Sequence, residues 1–212
     1  MNNIYKGLNT LFESEDSVIS DPPSDVDIEL DSISDLDVID DRLLFLSGDI
    51  SNEFILSIII EILKLDRAAK KDIILFINSV GGDVTAGFAL YDVMNAIRSD
   101  IITICIGECA SMAALIFMNG TKGKRYIFSN SEMMIHQVSS KIYGKCSDVE
   151  EEAKDLKEWN NKILKIISEK TGKSIETIRK DVAHMDKWFD SSSAVDYGLA
   201  DKIINSIDEI YK

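Results

Sequence analysis

Continuous apolar runs of strand length alternate with segments of helical length along most of the chain. The runs within 72–78 and 101–106 lack the polar alternation of a strand with one face in water, which indicates strands covered on both faces. Between them, Gly81-Gly82 turns the chain into a helix predicted over about 84–98. This alternation is typical of βαβ units, and it predicts an α/β fold with a mostly parallel sheet and right-handed crossovers.

The same patterns predict the remaining elements. Further strands are expected at 42–46, 124–128, 132–137 and 202–204, and further helices over about 52–65, 111–118 and 175–185. Ser147 and Glu150 have the spacing of a capping box, which predicts a long helix from there to about 170 with Gly172 as its C-terminal cap. One face of that helix is apolar, so we expect it to pack against another surface.

The N-terminal segment differs in composition from the rest of the chain. Residues 1–41 contain twelve Asp or Glu residues and one basic residue, Lys6. Acidic segments of this kind are usually solvated, so we expect a flexible extension over 1–36 and one folded domain over 37–212. The net charge of −14 argues against binding to nucleic acid or to an anionic membrane.

Cysteine content and hydropathy predict the compartment. The three cysteines, Cys105, Cys109 and Cys146, together with the lack of an apolar stretch like a secretory signal, favour free thiols in a reducing environment. The most apolar run, 54–63, contains Glu61 and is too short to span a bilayer. These patterns predict a cytoplasmic protein.

Reactive side chains lie at the ends of predicted strands, where active sites of α/β folds gather. Ser111 follows a buried strand and opens a helix, where unpaired backbone N–H groups can stabilise an oxyanion. Serine is also a common N-cap, and on this segment alone that interpretation is favoured. His136 ends another strand and can accept the proton of a serine hydroxyl. Gly82 lets the backbone approach a substrate closely, although a tight turn explains it equally well.

Two other residues compete for the catalytic roles. Cys109 lies on the same turn as Ser111, but a small buried cysteine is the commoner interpretation. His184 is the only other histidine, and it is predicted to face solvent in a polar helical stretch. A lone His136 would more often be a half-buried structural residue, so its pairing with Ser111 depends on the wider pattern.

Four blocks of the sequence, taken in order, resemble the caseinolytic Clp protease family of self-compartmentalising serine peptidases. The blocks are 76–82 with 86–87 and 91–92 following, 107–112, 134–137 and 194–201, and 120–125 is also similar. The resemblance extends from about Asp41 to the C-terminus. It implies an α/β fold in which βαβ units form the spiral shared by the Clp protease and crotonase families, with the long helix as a protruding handle.

The resemblance implies roles for individual residues. Ser111 matches the nucleophile and His136 the general base of the family. The backbone N–H groups of Gly82 and Met112 match its oxyanion hole, which is usually the largest electrostatic contribution to acyl transfer.

The residue that matches the acid of the triad is harder to identify than Ser111 or His136. Counting back from the block at 197–199 selects Asp186, whereas counting forward from His136 selects Met185, which indicates one extra residue after Asp181. We take Asp186 as the first choice and Asp181 as the second. Its role would be to orient the imidazole and to stabilise the imidazole's cation.

The resemblance also implies how such a peptidase works. It would be a serine endopeptidase without cofactor or metal that cleaves unfolded polypeptides, built as heptameric rings, two of them stacked, and supplied by an AAA+ ATPase unfoldase. Phe76 corresponds to an apical aromatic residue that helps to form the pocket for the unfoldase's loops. Its position fits an ordinary strand residue equally well.

Some positions depart from the family pattern. Val80 and Val138 stand where the family usually has proline, and Ser139 and Ser140 stand where it has glycine. The segment from 138 normally pairs with substrate and contributes to the contact between rings. The alternative is a catalytically weak or inactive ring subunit with a structural role, a kind of subunit that typically lacks the serine or the histidine that this chain retains. An acyl-CoA enzyme of the crotonase type ranks last, because it does not need serine and histidine at these two turns.

Overall fold

The computed structural model describes residues 42–210. Within this range seven strands form one sheet: β1 (Leu43–Ile50), β2 (Ile73–Gly82), β3 (Ile101–Ala110), β4 (Arg125–Phe128), β5 (Glu132–Ile135), β6 (Lys187–Asp190) and β7 (Lys202–Ile204). The helices are α1 (Asn52–Ala68), α2 (Val84–Ala96), α3 (Met112–Met118), α4 (Cys146–Thr171), α5 (Ile175–Asp181) and α6 (Ser191–Tyr197), followed by a 3₁₀ turn (Ile207–Glu209). The flexible extension predicted over 1–36 lies outside the described residues.

The sheet is parallel except at one edge. Strands β1, β2, β3, β4 and β7 lie side by side in that order and pair in parallel, which confirms the α/β class. On the side away from β2, strand β3 has two partners, because its first half pairs with β4 and its last three residues pair with β5. Gly107 separates the halves with a φ of 66°, a left-handed conformation that favours glycine. Strand β6 pairs antiparallel with β5 and ends the sheet there.

Both faces of the central strands are covered, as the uninterrupted apolar runs predict. Alternate residues of β2 enter two separate clusters of buried side chains. Ile73, Leu75 and Ile77 join the larger one, which also contains the buried faces of helices α1 to α4. Ile74 and Phe76 join the smaller one with Ile102, Ile104 and Ile204.

Three sequence predictions in this region are wrong. Helix α4 begins at Cys146, and Asp148 accepts a hydrogen bond from the N–H of Lys145, so the predicted capping box at Ser147 and Glu150 lies inside the helix. Helix α5 ends at Asp181 rather than near 185. His184 therefore lies exposed in the bend that follows, not in a helix.

Strand β6 and helix α6 are not predicted by the sequence patterns. Strand β6 has only four residues, of which only Phe189 is buried, so no apolar run marks it. Helix α6 starts with three serines, which are weak helix formers, and it is capped by Asp190, which accepts a hydrogen bond of 2.8 Å from the N–H of Ser193. Tertiary pairing and capping form these elements rather than local propensity.

A buried ion pair joins β4 to the turn before β7. The Arg125 side chain donates from Nε to Asp201 Oδ2 over 2.9 Å, and Asp201 also accepts from the N–H groups of Gly123 and Arg125. Burial raises the pKa of the Asp201 carboxyl, but the hydrogen bonds and charge of Arg125 outweigh it, so the pKa is lowered. The carboxylate is therefore charged in the folded protein, and its contribution to stability is lost as pH falls through that lowered pKa.

We expect Asp201→Asn to lower the free energy of unfolding by about 3 kcal/mol, because it leaves the Arg125 guanidinium buried and unpaired. Urea unfolding at matched protein concentration measures this. The control is Glu61→Gln, which removes the exposed ion pair with Lys64 and should cost less than about 1 kcal/mol. Equal effects of the two substitutions would show that Arg125 and Asp201 do not form a stabilising pair.

Among the described residues no helix is both long enough and apolar enough to cross a membrane.

Candidate active site

Ser111 occupies the turn between β3 and α3. Its φ of 56° and ψ of −123° are unusual, and it is the one residue other than glycine with a positive φ within 42–210. Its backbone N–H donates to the carbonyl of Met134 over 2.9 Å, which fixes the turn against β5. The Ser111 side chain makes no capping hydrogen bond to α3, although it stands at the N-cap position. The geometry therefore disfavours the interpretation of Ser111 as an ordinary cap.

The hydroxyl of Ser111 contacts His136 instead. The distance from Ser111 Oγ to His136 Nε2 is 2.7 Å, within hydrogen-bond reach for proton transfer. Strand register explains this proximity, because Ala110 of β3 pairs with Met134 of β5 and both strands end close to that pair. The two residues come from different strands that end at the same edge.

Asp186 lies on the other side of the His136 ring. Its Oδ1 is 3.4 Å from His136 Nδ1. The antiparallel register of β5 and β6 accounts for this, because the pairing of Ile135 with Lys187 places positions 136 and 186 opposite each other. The structure thus brings Asp186, the first choice for the acid, to the histidine.

Asp181 has different partners. Its Oδ2 accepts a hydrogen bond of 2.7 Å from the hydroxyl of Tyr197 and lies 3.0 Å from Lys187 Nζ. The Tyr197 hydrogen bond and then Lys187 lower the pKa of the Asp181 carboxyl. Burial and the same carboxylate raise the pKa of Tyr197. Asp181 therefore binds Tyr197 and Lys187 at the base of the loop that carries Asp186, rather than His136.

Cys109 is fully buried and its Sγ lies 3.5 Å from the carbonyl of Ile77. Burial raises the pKa of this thiol well above its usual range, which disfavours the thiolate that a cysteine nucleophile requires.

The turn after β2 lies directly against the Ser111 turn. A Cβ at Gly81, whose φ is 96°, would stand 2.7 Å from Ser111 Cβ and 3.0 Å from the Met112 nitrogen. Only glycine permits this close approach. Met112 is the first residue of α3, so its N–H precedes the first intrahelical hydrogen bond. Gly82 and Met112, the two residues expected to form the oxyanion hole, both line the same cavity as Ser111.

The cavity beside Ser111 has a volume of about 210 Å³. Beyond Ser111 and His136, its walls are mostly apolar side chains: Val84, Met112, Leu115, Ile135, Val138, Ile163 and Ile167. Residues 136–145 have no regular secondary structure, and the N–H of Val138 donates to Asn160 Oδ1 of α4 over 3.2 Å. The segment that departs from the family pattern thus forms one wall and is fixed to α4.

No group of three or more metal-binding side chains lies close together between residues 42 and 210.

Phe76 is buried within β2 and stacks on Phe45, with the ring centroids 5.1 Å apart. Phe45 is the exposed member of this pair, with 54% of its surface accessible.

The side chain of Met112 occupies space next to α2 that is free only because residue 87 is glycine. A Cβ at Gly87 would lie 2.3 Å from Met112 Cγ and within 3 Å of its Sδ and Cε. A larger residue at 87 would therefore displace the side chain of Met112. The expected oxyanion donor is the backbone of that same residue.

We expect Gly87→Ala to lower kcat/KM for a fluorogenic peptide by about tenfold, because small displacements at a reacting centre are costly. The Gly87→Ala/Met112→Ala double variant removes the atoms that the new methyl group would meet. It should therefore regain the activity of Met112→Ala alone. A double variant that stays tenfold below Met112→Ala would contradict this account of Gly87.

A serine hydroxyl within hydrogen-bond reach of a histidine, with a carboxylate beside the other ring nitrogen, is a geometry that recurs in serine hydrolases of unrelated folds. Residues 29–207 match the family model described as Clp protease. Because this match covers most of the chain, the protein belongs to the Clp protease family. The resemblance and the fold class predicted from the sequence are confirmed.

Sequence reasoning missed several residues around the site. Gln137 is part of the block at 134–137, but its role was not predicted. Lys187 and Tyr197 were also missed, because their link to Asp181 depends on β6 and α6, which local patterns do not reveal. Asn160 carries no sequence signal beyond its place on the long helix.

Proposed function

We propose that this chain is the serine endopeptidase subunit of a compartmentalised protease, with Ser111 as nucleophile, His136 as general base and Asp186 as the residue that orients it. The hydrogen bond of 2.7 Å between Ser111 Oγ and His136 Nε2 carries the proposal. The backbone of Ser111 supports it, because a strained residue at a strand end is typical of functional sites.

The reaction proceeds in two halves. In the first, Ser111 Oγ bonds to the carbonyl carbon of the scissile peptide while its proton moves to His136 Nε2. The carbonyl oxygen becomes an oxyanion, which the N–H groups of Gly82 and Met112 stabilise. The C–N bond then breaks, and the departing amine takes the proton from His136.

The second half removes the acyl group. Water gives a proton to His136 Nε2 and bonds to the acyl carbon. The ester bond to Ser111 then breaks as His136 returns that proton to Oγ. Throughout, Asp186 faces Nδ1 of His136 at 3.4 Å, so it favours the tautomer that leaves Nε2 free to accept and stabilises the imidazolium that forms.

Apolar surface on the described domain supports assembly into rings. Helix α1 exposes about half of the surface of three large apolar side chains: Leu56 (56%), Ile60 (43%) and Leu63 (49%). The three residues are spaced four and three positions apart, so they lie on one face of the helix, and contiguous exposed apolar surface is typical of interaction sites. We propose heptameric rings, two of them stacked, with α4 as the handle at the contact between rings.

The proposed partner is an AAA+ ATPase unfoldase that delivers unfolded polypeptides. A groove between β1 and α1 lies beside the stacked pair of Phe45 and Phe76, and its lining is mostly apolar: Leu44, Phe45, Phe54, Ile58 and Ile60, with Ser57 and Glu61. Its apolar lining suits the loops of such a partner. Phe76 does not line this groove itself, but its ring stacks against the ring of Phe45, which does.

A fluorophosphonate probe tests the proposal on the intact protein. We expect covalent labelling of assembled protein, with the adduct found on the peptide that contains Ser111 and absent after denaturation. Native mass spectrometry of the same sample should show fourteen-subunit particles, as two heptameric rings require. Intact rings without an adduct, beside an active serine peptidase as control, would instead favour the inactive structural subunit.

A further inference from the structure

Gln137 follows His136 directly, but its side chain points to a different part of the site. Its Nε2 donates to two backbone carbonyls, those of Val182 and Ala183, over 3.0 Å each. These carbonyls belong to the loop of residues 182–186 between α5 and β6, which ends with Asp186. One amide thus connects the strand end that carries the histidine with the loop that carries the acid.

The loop has few other anchors among the described residues. Val182 is buried, and the N–H groups of Val182 and Ala183 donate to carbonyls of α5 over 3.0 Å and 3.4 Å. At the base of the loop Asp181 and Lys187 pair at 3.0 Å, and no such bonds hold residues 184–186 among those the structure describes. Met185 is 74% exposed, and the side chain of Asp186 is 57% exposed. An exposed carboxylate does not keep one position by packing, so its placement depends on the backbone to which it is attached.

We infer that Gln137 is a positioning residue for the acid of the triad: it holds the 182–186 loop so that Asp186 faces His136. This inference rests on the proposed function. Glutamine suits the task because its NH₂ group has two hydrogens for the two carbonyls and carries no charge. A carboxylate in its place would face two carbonyl oxygens without a proton to donate.

The test uses Gln137→Glu and Gln137→Met in the full chain. Both variants remove the donor, and Gln137→Met brings no charge, so it carries the test if Gln137→Glu fails to assemble. The matched control is Asn130→Asp in the turn between β4 and β5, the same amide-to-acid change at an exposed residue.

We expect kcat for a fluorogenic peptide to fall by about 10- to 100-fold while KM stays within about twofold, because the walls of the substrate cavity are unchanged. In an Asp186→Asn background the same substitutions should have an additional effect of less than about twofold, since Gln137 acts through Asp186. Hydrogen–deuterium exchange should accelerate in peptides that cover 182–190. Asn130→Asp should leave kcat and exchange as in the wild type.

Additive losses in the Asp186→Asn background would overturn the inference, because they would show that Gln137 acts by another route. Wild-type exchange in the loop of Gln137→Met would overturn it as well. Failure of the proposed function looks different: the wild type itself would lack activity and labelling, while the exchange measurement would still decide whether Gln137 holds the loop.

Discussion

Replacing Ser111 with alanine should lower kcat/KM for a fluorogenic peptide by at least about 10⁴-fold and abolish labelling by a fluorophosphonate. Removing the nucleophile of a serine hydrolase leaves only the contribution of the oxyanion hole and of binding. KM should change little, because alanine keeps the cavity walls. The measurement is initial-rate kinetics on wild type and variant at equal concentration, with ring assembly verified by native mass spectrometry.

Ser192→Ala is the matched control for this prediction. Ser192 is an exposed serine in the first turn of α6, so its loss should change neither rate nor labelling. Residual activity of Ser111→Ala above about one hundredth of the wild-type value would contradict the role of Ser111 as nucleophile.

Asp186→Asn should lower kcat by about 10³-fold, whereas Asp181→Asn should lower it by at most about tenfold. An asparagine at 186 can present its NH₂ group to His136 and favour the wrong tautomer of the imidazole. Asp181 faces Tyr197 and Lys187 instead, so its loss removes a brace of the loop rather than the partner of the histidine.

Peptidase kinetics of the two variants side by side decide between the carboxylates. A larger loss of kcat for Asp181→Asn than for Asp186→Asn would reverse the assignment. Thermal unfolding of both variants is the accompanying measurement, because the network around Asp181 also ties α5 to β6.

Local patterns were sufficient for the parts of the fold that depend on long apolar runs. Strands β2 and β3 and the helix α2 between them follow from continuous hydrophobicity and from the Gly81-Gly82 turn. The ends of predicted strands mark Ser111 and His136 as candidates, but the resemblance to the Clp protease family was needed to assign them catalytic roles. The structure extends β2 and β3 to Gly82 and Ala110, so that the reactive turns begin directly at the strand ends.

The acid could not be placed by pattern alone, and the reason is physical. Asp186 meets His136 only through the antiparallel pairing of β5 with β6, and β6 is a four-residue edge strand with one buried side chain. Counting back from 197–199 and counting forward from His136 selected different residues, Asp186 and Met185, because counting along the chain does not show which strands pair. The bonds of Gln137 to the same loop have no sequence signal for the same reason.

The conformation of Ser111 has a consequence for how a subunit like this one changes in evolution. A positive φ at a residue with a Cβ costs about 1–3 kcal/mol, and in this turn it accompanies the contact between Ser111 Oγ and His136 Nε2. Selection for stability alone would replace Ser111 with glycine, which adopts this φ freely. A lineage that keeps serine at this φ therefore gives up some stability to keep the hydroxyl. In a lineage that no longer needs proteolysis, replacement of Ser111 by glycine would remove the hydroxyl and relieve the strain in one step.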